Sequence, residues 1–256
     1  MEYQENREKR IHIFENTLHY CERTDCLAEA IIRTRKDTVL YRNPLKEFEV
    51  MDMKRYKQPC GILSSQNRIL ETAGKLYLEY RGDRIGILNF ASAVSPGGGV
   101  IRGGDTQEEY LCRCSTLYPC LNTIELRESY FDDNRKKGGG LDNDACIYTP
   151  GVICIKGNDQ ELMFKEPYDW FPVDVISCAV PLRKESSELL TKRVQGVLRV
   201  AAGKRIDIMV IGVSDYEGIC HFSDIKEQIL KKALKEYCYS FKAIVFAGYG
   251  PDRKAL

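Results

Sequence analysis

The chain has 256 residues, 43% of them hydrophobic, which is enough for a sizeable buried core and argues against disorder. Its 38 Lys and Arg nearly cancel 37 Asp and Glu, a formal net charge of +1, which excludes attachment to nucleic acid or to a membrane surface by bulk charge. A local anion pocket stays open, because backbone N–H groups can build one without basic residues. Eleven cysteines are an odd number for a disulfide framework, and several sit in apolar runs such as Val152–Ile155 and Ile176–Val180. They read as buried free thiols in a reducing, cytoplasmic compartment. The residues after Met1 are charged, so neither a secretory signal nor a membrane anchor is expected, and no apolar run has the length of a membrane span.

In chain order, residues 1–36 read as two helices, with Ile11, Phe14 and Leu18 and then Leu27, Ala30 and Ile31 at roughly helical spacing. Val39–Tyr41 is a short strand candidate inside a mixed stretch, and Ile69–Tyr80 carries an amphipathic helical pattern. Arg84–Phe90 is a compact apolar run of the kind a buried strand shows, and a glycine loop follows it. Thr106 to about Leu121 predicts one helix, and Ala145–Ile155 predicts a β pair broken at Pro150-Gly151. Strands at 173–180, 206–213 and 243–247 alternate with helices at 186–203 and 224–239. That alternation predicts an α/β fold, a mostly parallel sheet covered by helices on both faces. The whole of 1–256 is expected to form one domain, with residues 1–60 as a helical N-terminal extension. That extension is open between a cap over a ligand and a partner surface.

The chemistry concentrates in Asn89–Leu121, NFASAVSPGGGVIRGGDTQEEYLCRCSTLYPCL. It starts at the C-terminal end of a strand, where open α/β sheets bind their ligands. Gly97, Gly98 and Gly99 let backbone approach a ligand and aim N–H groups at it, and Gly103-Gly104 allow unusual dihedrals. Thr106 or Asp105 can cap the helix that begins next, which puts Gln107, Glu108 and Glu109 in its first turn, beside N–H groups that attract anions. Taken singly, first-turn glutamates most often complement the helix dipole, and a triple glycine is most often a loose loop. Their conjunction at a strand end points to a site.

This stretch resembles the poly(ADP-ribose) glycohydrolase branch of the macrodomains, whose signature is GGG, a short spacer and QEE. The flanking NFASA, PGGG and QEEYLCRCSTLYPCL are similar to the bacterial-type members, and fainter likeness extends through IYTPGVICIKGN, VDVISCAVP and FKAIVFAGYG. The resemblance implies a macrodomain-like fold with a mixed, mostly parallel sheet, and hydrolysis of a ribose O-glycosidic bond in poly(ADP-ribose) or a related conjugate. By position it implies Glu109 as the catalytic acid/base and Glu108 as the holder of a ribose hydroxyl. Gln107 would fix both glutamates, and Gly97–Gly99 would wrap the diphosphate and reacting ribose, with Asn89 and Ser92 near that ribose. No cofactor and no metal are implied. The expected partner is ADP-ribose or an ADP-ribosylated macromolecule, with no nucleic-acid or membrane contact.

One segment departs from the family pattern. After the strand ending near Val213, bacterial-type members carry a loop resembling G-A-W-G-C-G-x-F, whereas this chain has Gly212-Val213-Ser214-Asp215-Tyr216-Glu217-Gly218-Ile219. Gly212 matches and Tyr216 can serve as the ribose-covering aromatic, but Asp215 and Glu217 add negative charge where a diphosphate is expected. At ~4 Å and an effective dielectric near ~20, one inward-pointing carboxylate would repel a phosphate by about 4 kcal/mol. Either those side chains point to solvent or the loop has been rebuilt for another substrate. Two further readings stand beside hydrolysis of poly(ADP-ribose): a module that reads ADP-ribose without cleaving it, and a hydrolase of a different ADP-ribose-linked bond.

Other candidates are weaker. Cys112 and Cys114, with His12, His19 and His221 scattered, make no zinc pattern. Arg102 is open between a phosphate contact and a solvated loop position. Tyr168, Trp170, Phe171 and Pro172 form an aromatic turn read as core or lid packing, with adenine stacking as the alternative.

Overall fold

The computed structural model describes residues 2–47, 54–139, 143–157, 162–179, 187–212 and 232–248. Helices α1 (Glu2–Arg23) and α2 (Asp25–Asp37) lead into β1 (Val39–Tyr41), a short α3 (Pro44–Glu47), β2 (Gly61–Ser65), α4 (Ile69–Glu79) and β3 (Ile85–Ala91). A 3-10 turn (Val100–Arg102) precedes α5 (Gln107–Cys114) and α6 (Leu117–Leu121). Next come α7 (Ile124–Leu126), a π-helical turn (Arg127–Asp132) and α8 (Asp133–Lys136). Strands β4 (Cys146–Cys154) and β5 (Phe171–Ala179), helix α9 (Ser187–Gly203), and strands β6 (Ile208–Gly212) and β7 (Ala243–Ala247) complete the order. Residues 232–237 are helical as well.

The seven strands form one sheet in the order β1-β4-β5-β3-β6-β7-β2. β5, β3, β6, β7 and β2 run parallel, while β4 pairs antiparallel with both β5 and β1. Strand period sorts the side chains into two cores. Ile85 and Ile87 of β3, Val210 of β6 and Val245 of β7 face α4 and α5. Leu88, Ile211, Ile244 and Phe246 face α9 and residues 232–237. The result is three layers with β3 at the centre of the sheet, so the loop leaving β3 opens over its middle.

Three local expectations are revised. The expected break at Pro150-Gly151 is a bulge inside one continuous strand, where the register shifts between Thr149 and Val152. The bulge changes parity: Ile147 before it and Val152 and Cys154 after it all face the same core. The single helix expected from Thr106 to Leu121 is two, because Cys114–Thr116 turns aside to bond β4. Ile155 N–H donates to Cys114 O at 2.9 Å, and Thr116 N–H donates to Ile153 O at 3.0 Å. Finally, β2 lies where no strand was expected. It pairs only with β7 at the sheet edge and its residues are half-buried or exposed, so it lacks the apolar run that marks an inner strand.

Among the described residues no helix is long and apolar enough to cross a membrane. The expected helix 224–239 is described only from 232, and the loop after Gly212 lies outside the described residues.

The contact of β3 with β6 leaves no room for a side chain at Gly86. A Cβ there would sit 2.7 Å from Ile206 Cδ1 and 2.8 Å from its Cγ2. Gly86→Ala is therefore expected to destabilise the fold by about 1–3 kcal/mol through overpacking. The check is a lower thermal midpoint in calorimetry, with far-UV circular dichroism unchanged below it.

Candidate active site

The site starts where β3 ends. Asn89 is fully buried in β3; its Nδ2 donates to Ser177 Oγ on β5 at 2.9 Å, and its Oδ1 meets no partner among the described residues. Two residues on, the Ser92 hydroxyl accepts from Val94 N–H and Ser95 N–H and so folds the chain into a tight turn. Asn134 of α8 ties that turn down through Ala93 O at 2.9 Å. Gly97 and Gly98 follow with φ of 66° and 59°, the left-handed region that glycine occupies without steric cost.

The loop then returns to start α5 with a capping box: the Thr106 side chain accepts from the backbone of Glu109, and the Glu109 carboxylate accepts from Thr106 N–H at 2.7 Å. The Thr106 hydroxyl also lies against Glu109 Oε2. Glu109 Oε1 takes a second backbone donor, Gly99 N–H, at 2.7 Å. One carboxylate thus closes the glycine loop onto the helix start.

Glu108 precedes it by one residue and points elsewhere. Its Oε2 accepts Ser92 N–H at 2.7 Å, its Oε1 is buried without a partner among the described residues, and the residue is 2% exposed. Burial pushes this carboxyl up to about 8. The Ser92 N–H opposes the shift, the neighbouring Glu109 charge adds to it, and Asn89 and the Gly97 N–H offset it further. A Cβ on Gly98 would stand 2.6 Å from Glu109 Oε1 and 3.0 Å from Glu108 Oε2, so this glycine lies directly over both carboxyls.

Gln107 joins the helix start to the sheet. Its Nε2 donates to Leu88 O at 2.7 Å, and its Oε1 lies 3.0 Å from where a Gly212 Cβ would be. The structure therefore brings together Asn89, Ser92, Gly97, Gly98, Gly99, Gln107, Glu108, Glu109 and Gly212. Tyr216, with Asp215, Glu217 and His221, lies outside the described residues. Arg102 is exposed. Tyr168 is 82% exposed, and Trp170 sits half-buried, edge-on to Tyr20, with its Nε1 on Lys165 O. Both precede β5, at the opposite end of the sheet from the carboxyls, which leaves core packing as the reading for the tryptophan. Cys112 is fully buried beside the site and burial holds its thiol well above the usual range, which leaves it neutral.

Four supporting residues went unnoticed in the sequence. Arg113, one turn beyond Glu109, is 2% exposed; it reaches back to Gly104 O and pairs with Asp105 at 2.6 Å. Arg7 and Arg10 of α1 donate to Arg102 O at 2.7 Å and Gly103 O at 2.8 Å, and Thr17 donates to Arg113 O at 2.6 Å. The spacing Arg113−Glu109, one helical turn, was the only local signal; the α1 residues act on carbonyls more than 90 positions away.

A mixed sheet between helical layers, with a glycine loop and a carboxyl pair at the end of its central strand, defines a macrodomain-like hydrolase fold. Residues 8–157 match the catalytic domain of microbial-type PARG, the poly(ADP-ribose) glycohydrolases, and the chain belongs to that family of glycosidases. It is similar in structure to the poly(ADP-ribose) glycohydrolase of Thermomonospora curvata, at 22% identity and a TM-score of 0.76 over 96% of this chain and 95% of that one. The same enzyme bound to the inhibitor ADP-HPD gives 23% identity and a TM-score of 0.74, over 96% and 95% of the two chains. The Deinococcus radiodurans enzyme in complex with ADP-ribose is 25% identical with a TM-score of 0.70, over 85% of this chain and 89% of that one. A comparison with curated protein sequences finds no match.

Two outcomes follow from this geometry. Gly98→Ala forces a Cβ between the carboxyls at a φ of 59°, and is expected to reduce turnover at least ~100-fold while the protein stays folded; single-turnover kinetics with calorimetry on the same sample checks it. Glu108 also makes stability fall with pH. Between the ordinary value of 4.5 and about 8 the folded chain keeps a proton that the unfolded chain releases. The contribution is fully present below pH 4.5 and is lost as pH rises through about 8. Thermal midpoints of the wild type, measured against Glu108→Gln, should therefore decline across that range; a constant difference would contradict the buried neutral carboxyl.

Proposed function

We propose that this chain hydrolyses the ribose O-glycosidic bond of poly(ADP-ribose), with Glu109 as acid/base and Glu108 as the group that holds a ribose hydroxyl. The observation that carries the reading is the Glu108–Glu109 pair, buried at the start of α5 beneath Gly97–Gly99 and beside the end of β3. Cleavage of such a bond passes through an oxocarbenium-like state whose leaving oxygen needs a proton. Burial holds the Glu108 carboxyl up to about 8, so near neutral pH the site keeps a proton beside Glu109 for the acid step. The C–O bond breaks as that proton reaches the leaving oxygen. Water then supplies the oxygen of the new bond to the ribose carbon, and its proton returns to the carboxylate.

Both carboxyls come from one helical turn, so they approach the sugar from one side rather than flanking it. Gln107, tied to Leu88 O, would hold the turn in place, and Asn89 and Ser92 would line the ribose. The Gly97–Gly99 backbone and Gly212 would meet the diphosphate and its ribose, with Tyr216 covering them. The reading needs no cofactor and no metal. It takes ADP-ribose or an ADP-ribosylated macromolecule as partner, with no nucleic-acid contact. We place the protein in the cytoplasm, a reading supported by ten free cysteines among the described residues, seven of them buried. We also treat 1–256 as one domain, because β1 and β2 from its first 65 residues belong to the same sheet as the site strands.

The test is ADP-ribose release from poly-ADP-ribosylated protein, with Glu109→Gln in parallel. Release by the wild type should fall at least ~100-fold in the variant, while ADP-ribose still binds in calorimetry. Binding without release by the wild type would make the chain a reader of ADP-ribose instead.

A further inference from the structure

The N-terminal helix carries one stripe of residues that all act on the catalytic loop or its helix. Arg7, Arg10, Phe14 and Thr17 fall at spacings of three, four and three, one face of α1. Arg7 Nε donates to Arg102 O, and Arg10 Nε donates to Gly103 O. The Arg10 guanidinium also reaches Asp105 at 3.5 Å, the same carboxylate that Arg113 holds from the other side at 2.6 Å. Phe14 packs edge-on against Tyr118 at 4.8 Å, and the Tyr118 ring sits 2.7 Å from where a Cβ on Gly97 would be. Gly103 has φ 72°, and its Cβ position would lie 2.6 Å from Arg7 O, so the loop rests on the helix backbone itself.

What this stripe holds is the far limb of the loop. Gly104 N–H bonds back to Gly99 O at 3.0 Å, and a Cβ on Gly104 would stand 2.9 Å from Glu109 Oε1. A shift of Gly103–Asp105 is therefore passed to the Gly99 and Thr106 amides that grip the Glu109 carboxylate. We propose that Arg10, seconded by Arg7, is a positioning residue for the glycosidase reaction: from α1 it fixes the Gly103–Asp105 limb and thereby the placement of the Glu109 carboxyl. The inference rests on Glu109 acting as proposed above. It gives α1 a third role beside the two left open for the N-terminal helices, that of a brace on the catalytic loop.

A guanidinium suits the task because it presents fixed donors in two directions, one to a carbonyl and one to a carboxylate, which an ammonium on a flexible stem does not. Misplacing a reacting group by about 1 Å costs on the order of 100-fold in rate. The effect should fall on kcat, because the braced limb adjoins Glu109 and lies downstream of the Gly97–Gly98 turn.

The experiment uses the full chain with Arg10→Ala, Arg10→Lys and Arg7→Ala/Arg10→Ala. It measures steady-state release of ADP-ribose from poly(ADP-ribose), amide hydrogen exchange of peptides covering 97–106, and thermal midpoints. For Arg10→Ala the expected results are a kcat lowered ~10- to 100-fold with KM within about threefold, and faster exchange at 97–106 with exchange in α9 unchanged. Arg10→Lys should lie between alanine and wild type. Unchanged exchange at 97–106 in Arg10→Ala overturns the brace, as does a rise in KM alone or a lysine variant equal to the wild type. The exchange measurement needs no turnover, so a wild-type protein that releases no ADP-ribose would sink the glycosidase reading while the brace is still decided. If Arg10→Ala does not fold, Arg10→Lys, which keeps the charge and the stem, carries the same comparison.

Discussion

The Glu109 carboxylate is the joint on which the site's geometry depends. It accepts Gly99 N–H from the loop and Thr106 N–H from its own helix cap, so a single side chain fixes where the loop ends and where α5 begins. The glycine pattern follows from that joint. A side chain at 98 or at 104 would collide with the same oxygen, at 2.6 and 2.9 Å respectively. Two of the five loop glycines are thus demanded by a carboxylate, and Gly103 by the helix beneath it. Because the loop leaves β3, which pairs with β5 and β6 on its two sides, the joint is anchored to the most buried part of the sheet.

The parts of this architecture that were legible in the sequence are those governed by near neighbours. Strand and helix alternation, the central strand at 85–91 and the GGG…QEE stretch all declare themselves within a few residues. Where a distant partner outbid local propensity, the sequence misled. Pro150-Gly151 has turn chemistry, yet the ladder to β5 resumes at Val152 and carries the strand through it as a bulge. Cys114–Thr116 has helical neighbours on both sides, yet its backbone bonds Ile153 and Ile155 instead. Arg7 and Arg10 were invisible for a different reason: they bind main-chain carbonyls, and a carbonyl leaves no mark in composition or spacing. The same holds for Asn134, which reaches Ala93 O across 41 positions.

Two adjacent glutamates take different surroundings because a helix turns about 100° between neighbours. At the third helical position Glu109 can curl back to its own cap, and both of its oxygens find donors. At the second position Glu108 is aimed beneath the end of β3, where Ser92 N–H satisfies one oxygen and no described residue bonds the other. A buried carboxylate left half-satisfied is costly, and the cheaper state is the protonated one, which is the cause of its rise to about 8. Chemical identity is the same at both positions; placement is what raises Glu108.

On the proposed reading, that placement couples ligand charge to the proton on Glu108. A diphosphate drawn to the loop amides and to the start of α5 brings negative charge close to a carboxyl that is already reluctant to ionise. Like charge raises a carboxyl further, so such a ligand would keep Glu108 protonated to higher pH. An empty site, by contrast, loses that reinforcement and also bears the cost of a buried carboxyl as pH rises. The acidic Asp215 and Glu217 beyond Gly212 bear on the same balance, because any part of their charge that reaches the pocket opposes the diphosphate but also favours the proton on Glu108. Electrostatic cost in binding and gain in protonated carboxyl at neutral pH are therefore two faces of one field. Carboxylates after Gly212 are compatible with a bound diphosphate where they point to solvent, or where the loop amides supply enough attraction to outweigh the first effect.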